Sequence, residues 1–70
     1  MAWVAVDKDN TEVVFAHYPK RANKSGYAFG KEEEKVMWLD GGDFVILPHG
    51  SIKKLIDREL KWNNEPVELT

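Results

Sequence analysis

His17 and His49 are the chain's only imidazoles, and so its only side chains whose unperturbed titration falls near neutral pH. Zinc would need further ligands at a recognisable spacing, and the chain offers only scattered carboxylates and no cysteine. A histidine base would need a nucleophile or an orienting carboxylate, and neither stands at a diagnostic distance. Asp7-Lys8-Asp9-Asn10-Thr11-Glu12 opens like a calcium loop. However, Thr11 holds the fifth position, Glu12 replaces the glycine of the sixth, and Tyr18 replaces the bidentate glutamate of the twelfth. A hairpin turn explains this stretch better. Glu32-Glu33-Glu34 offers an acidic handle, although charge runs are ordinarily solvated loops. Lys54, Arg58 and Lys61 form a basic stripe that would complement a helix C-terminus. Residues 17–29 are more suggestive. No acid lies between Glu12 and Glu32, while Lys20, Arg21, Lys24 and Lys31 supply four positive charges. Cations steer phosphates or acidic protein surfaces, and Tyr18, Tyr27 and Phe29 can stack on bases or fill a partner's pocket. The expected partner-binding residues are Tyr18, Lys20, Arg21, Lys24, Tyr27 and Phe29. Trp38 joins them as an outward anchor on a strand. No catalytic, cofactor-binding or metal-binding residue is expected.

The elements that must position these residues follow from pattern and punctuation. Residues 3–6 and 12–18 are rich in β-branched and aromatic residues and read as a hairpin, with Asn10 suited to a left-handed turn position. Alternation puts Trp3 and Ala5 on one face and Val4 and Val6 on the other, so both faces are apolar. Pro19 ends the second strand. Residues 20–26 read as a polar loop, 27–29 as a short third strand, 31–35 as a charged loop and 36–39 as a strand. Asp40-Gly41-Gly42-Asp43 suits a tight hairpin turn that returns the chain into a buried strand over 44–47. Pro48 and Gly50 break that strand, and Ser51 can cap a helix over 51–60. Its stripe is Ile52, Leu55, Ile56 and Leu60, with Leu55 and Ile56 central and Glu59 intruding into the apolar arc. Trp62 and residues 66–69 suggest a closing strand. The expected fold is α+β: a small twisted antiparallel sheet of four to five strands with one packed helix, in a single domain over 1–70.

Seventy residues with no cysteine make a small core without disulfide or thiolate–zinc staples. Ten basic against twelve acidic residues leave a net charge of −2, which argues against a dedicated polyanion binder. The longest wholly apolar run is six residues, Met1-Ala2-Trp3-Val4-Ala5-Val6, far short of a bilayer span, so no membrane association is expected. The N-terminus lacks the basic region of a signal peptide, and the expected setting is cytoplasmic. A small sheet exposes edges, so association through an edge strand or an exposed aromatic such as Trp38 or Trp62, including homodimerisation, is expected.

The chain resembles a group of small proteins encoded by bacteriophages and prophages, notably those of gut bacteria. The resemblance lies in Trp3-Val4-Ala5-Val6-Asp7-Lys8 with Glu12-Val13-Val14-Phe15, then Leu47-Pro48-His49-Gly50-Ser51-Ile52-Lys53-Lys54-Leu55-Ile56. It closes with Leu60-Lys61-Trp62 and Glu65-Pro66-Val67-Glu68-Leu69. Residues 20–42 match poorly. In such proteins glycine often stands where Asn10 and Asp57 are found here. The resemblance implies a phage setting in a host cell and no catalytic residues. By analogy, it implies action by binding, often by obstructing a host enzyme or a defence complex such as a CRISPR effector. The expected function is therefore that of a non-enzymatic protein that contacts a host or phage protein. The alternative is a small nucleic-acid-binding accessory protein that uses residues 18–29.

Overall fold

The computed structural model describes residues 2–69 and is built outward from the first hairpin. Strand β1 (Ala2–Val6) pairs antiparallel with β2 (Glu12–Phe15), with Trp3 opposite Phe15 and Val6 opposite Glu12. The turn closes as its residue types predict. Asp7 N–H donates to Thr11 O and Asn10 N–H to Asp7 O, both at 2.9 Å. Asp9 Oδ1 accepts Thr11 N–H at 3.0 Å, and Asn10 takes φ 73°. Two further strands flank this hairpin. β5 (Phe44–Leu47) lies on β2 and β6 (Val67–Leu69) on β1, which gives an antiparallel sheet of order β5-β2-β1-β6.

A second, two-stranded sheet departs from the expected layout. β3 (Lys20–Asn23) pairs with β4 (Lys35–Leu39), so the polar stretch expected to be a loop begins as a strand. Lysine, arginine and asparagine have weak intrinsic β preference, but cross-strand packing overrides it, with Arg21 opposite Trp38. The turn itself starts at Asn23, whose Oδ1 accepts Ser25 N–H at 3.0 Å and Tyr27 N–H at 3.1 Å. Residues 27–29 form no strand, and Glu32–Glu34 make a single 3₁₀ turn. The glycines at 41 and 42 do not turn a β4–β5 hairpin. Because β5 pairs with β2, residues 40–43 cross from one sheet to the other. Asp40 fixes the crossing by accepting Gly42 N–H at 2.8 Å and His17 N–H at 3.0 Å. The α+β class stands, with six strands in two sheets rather than four to five in one.

Three layers result. Val4, Val6, Val14, Leu47, Val67 and Leu69 face the helix side and pack with Ile52, Ile56 and Leu60. Ala5, Val13 and Phe15 face the β3–β4 side and pack with Trp38 and Trp62. Apolar character on both faces of β1 and β2 therefore reflects cover on both faces. Helix α1 (Ser51–Ile56) has only six residues, because Asp57 adopts φ 61° and its N–H bonds Lys53 O. It is shorter than the 51–60 expected. Leu60 reaches the core from irregular chain beyond the helix, which removes Glu59 from the apolar arc. In a turn and a half of helix only Ile52 and Ile56 face the sheet. Leu55, expected to be central, is 55% exposed.

Candidate interaction surface

Of the three groups of polar and aromatic side chains that the fold assembles, two are structural. At the helix N-terminus Glu12, largely buried on β2, points its carboxylate at the free N–H groups of the first turn. Oε2 accepts Gly50 N–H at 2.6 Å and Oε1 accepts Ile52 N–H at 2.8 Å, with His49 Nδ1 3.4 Å from Oε2. Burial pushes the Glu12 carboxyl up, but the Ile52 and Gly50 amides and the neighbouring imidazole outweigh it and hold the group below the ordinary range. The cap is thus a residue 38 positions away in sequence from Gly50. Ser51 was expected to fill that role but donates its hydroxyl to Pro48 O at 2.6 Å. His17 likewise sits beside a single carboxylate, 3.8 Å from Asp40 Oδ2. Among the described residues no three His, Asp or Glu side chains converge, and no buried side-chain polar atom lacks a partner.

The second group is a stack. The Arg21 guanidinium lies 4.4 Å from the centre of the Trp38 ring and 5.0 Å from that of Trp62. Its Nη2 donates to Trp62 O at 2.9 Å, and its Nη1 lies 3.7 Å from Glu65 Oε1. Trp38 is 4% exposed and donates its Nε1–H to Val6 O at 2.9 Å. Trp38 is therefore a core residue, not an outward anchor, because its strand turns it toward the main sheet. Arg21, expected to be a free recognition cation, instead bridges two indoles and the chain at Trp62.

The third group remains at the surface. Tyr18 is half exposed, set edge-on to Trp3 at 4.8 Å, with its hydroxyl 3.4 Å from Glu65 Oε2. Tyr18 and Lys20 line a groove of about 370 Å³ together with Ala22, Ala28 and Leu39. Beyond the β3–β4 turn, Tyr27 and Phe29 pack against each other with centroids 5.1 Å apart and their planes inclined by 37°. They stay 54% and 71% exposed and belong to neither core cluster. Lys24 is exposed and lines a depression together with Glu33 and Glu34, while Lys35 pairs with Glu32 at 3.4 Å. The acid-free stretch of sequence is therefore not an acid-free surface, since Glu65 and the Glu32–Glu34 turn stand next to its cations.

The apolar run expected to be a buried strand is an edge strand, with Val45 59% and Ile46 62% exposed and Phe44 half exposed. The order of strands, not the local pattern, put it there. No family model, curated protein or solved structure matches this chain.

Proposed function

We propose that this chain is a small non-enzymatic binding protein that acts through protein–protein contact, with Tyr18, Lys20, Tyr27 and Phe29 as its contact surface. The observation that carries this reading is the exposed Tyr27–Phe29 pair. Two large aromatics pack against each other at a tilt of 37°, exposed and outside both cores, in the connection that joins β3 to β4. Exposed aromatics on a rigid scaffold are the usual anchors of recognition, and Lys20 supplies a positive neighbour that favours an acidic rim on the partner. A host or phage protein in the cytoplasm of a host cell fits this chemistry. A host defence complex such as a CRISPR effector is the target class that the phage resemblance suggests.

Acidic side chains beside Lys24 and Arg21 tell against the nucleic-acid alternative, which needs an uninterrupted positive track. Capture from host lysate with wild-type chain and with Phe29→Ala, read by mass spectrometry, tests the proposal. The expected result is a protein retained by the wild type, lost with Phe29→Ala, and only weakly released by salt. Retention of nucleic acid, with affinity falling steeply as salt rises, would transfer the function to the alternative.

A further inference from the structure

Arg21 and Trp38 stand opposite each other and turn toward the main sheet, so alternation turns Lys20, Ala22 and Leu39 the other way. Ala22 is nevertheless buried on that outer face. The β3–β4 connection returns beside it, with Asn23 N–H bonded to Tyr27 O at 2.9 Å. Gly26 and Ala28 therefore line one groove with Ala22 and Leu39, and a Cβ on Gly26 would stand 3.6 Å from Leu39 Cδ1. Ala28 lies between Tyr27 and Phe29 in the chain, so the groove and the aromatic pair adjoin.

The charges around this groove are unequally committed. Asp40 lines it, but its side chain is 1% exposed and already accepts the N–H groups of Gly42 and His17. The acids of the adjoining depression are engaged as well. Glu32 pairs with Lys35, and Glu65 lies against Arg21 and the Tyr18 hydroxyl. Lys20 is exposed and makes no ion pair among the described residues. The groove thus presents an apolar lining of Ala22, Ala28 and Leu39 with one uncommitted ammonium beside it.

We propose that this groove sets the specificity of the contact surface by taking an acidic–apolar pair from the partner protein. A leucine-sized side chain enters against Ala22, Ala28 and Leu39, and the carboxylate of the residue next to it meets the Lys20 ammonium. The inference rests on the protein-binding function proposed above. Charge complementarity selects an acid, because the only exposed charge of the lining is positive and the one acid there is buried and bonded. Size selects a side chain on an exposed segment, since about 370 Å³ falls at the small end of the roughly 300–1,000 Å³ typical of ligand pockets. One apolar side chain and one exposed ion pair hold a short peptide only weakly, in about the millimolar range.

The probes are peptides of six residues capped at both ends, with Leu-Glu or Glu-Leu between Gly and Ser flanks, followed through the amide chemical shifts of the labelled protein. At least one of the two is expected to shift the Lys20, Ala28, Leu39 and Gly41 amides saturably. Replacing its Glu with Gln should weaken binding about two- to fivefold, and replacing its Leu with Ser should abolish it. Lys20→Glu should reverse the preference, so that a Leu-Lys or Lys-Leu peptide binds better than its acidic counterpart. Ala28→Leu, at an exposed position, should fill the groove and remove binding, and should that variant misfold the charge swap at Lys20 still decides. Groove amides that do not respond to either acidic peptide overturn the proposal. Equal binding of the Glu and Gln peptides, or an unchanged preference in Lys20→Glu, does so too. A lysate partner lost with Phe29→Ala but kept by both Ala28→Leu and Lys20→Glu overturns the groove alone. A partner kept by Phe29→Ala and lost with Lys20→Glu supports the groove and overturns the aromatic anchor.

Discussion

At the scale of single residues, the most consequential side chains are those that change role between sequence and structure. Glu12 reads as a failed calcium ligand and proves to be the helix cap. A carboxylate that accepts two backbone N–H groups contributes about 1.5–3 kcal/mol per charged hydrogen bond, partly offset by its burial. Glu12→Gln is expected to lower stability by about 1–3 kcal/mol in chemical denaturation at neutral pH. Because the folded carboxyl is held below the ordinary glutamate value of 4.5, its contribution is complete above that pH and is lost as pH falls through the depressed value. Asp40, held down first by the Gly42 amide, and Asp9, by Thr11, add to the same acid limb. Asp7 opposes them, since burial raises its carboxyl and its ionisation disfavours the fold as pH rises. The acid limb of a stability–pH profile should therefore be shallower in Glu12→Gln than in the wild type. Arg21 is the second reassigned residue. Stacking on two indoles and bonding a carbonyl, it should cost about 1–3 kcal/mol on replacement by alanine. Charge reversal at exposed Lys20 and Lys24 should stay within about 0.5 kcal/mol. Equal melts for all three would refute the stack.

At the scale of elements, legibility depended on how local each determinant is. The β1–β2 hairpin could be read because its turn residues and alternation lie within one segment. The closing strand was legible from Pro66 and the residues after it. The helix was legible at its start but not at its end, because no proline or glycine stands between Ile56 and Pro66. Asp57 ends it by adopting a left-handed conformation, and Asn10 adopts one in the first turn. Only glycine enters that region without penalty. Asp57→Val is expected to destabilise by about 1–2 kcal/mol, whereas Asp57→Gly should be close to neutral, as read by thermal melting. Burial makes a parallel distinction within the helix. Ile52→Ala should cost about 2–5 kcal/mol, while Leu55→Ala, at an exposed position, should cost no more than about 0.5 kcal/mol. A larger loss at Leu55 would mean that the longer helix forms after all. The β3–β4 pairing was illegible because Lys20 to Asn23 are a strand only by virtue of Trp38 and its neighbours across the ladder.

At the scale of the whole molecule, the chain has a sheet covered on both faces, by a short helix and by a small second sheet. No helix of the described residues is long and apolar enough to cross a membrane. The segment expected to be one recognition loop is divided by this architecture. Arg21 and Trp38 turn inward and hold the layers together, while Tyr27 and Phe29 project beyond the turn. The sequence shows a run of cations among aromatics, but it could not show which side of a strand each would occupy before the strand was known to exist. The edge status of β5 was hidden for the same reason. The measurement closest to the central claim is a paired comparison of Arg21→Ala with the double variant Tyr27→Ala/Phe29→Ala, recording melting temperature and affinity for the captured partner. The double variant should melt within a few degrees of wild type and bind at least about tenfold more weakly, a loss of roughly 1.4 kcal/mol or more. Arg21→Ala should melt lower, by about 4–8 °C for each kcal/mol lost. A double variant that unfolds while Arg21→Ala melts as wild type, or one that binds its partner undiminished, would contradict the account.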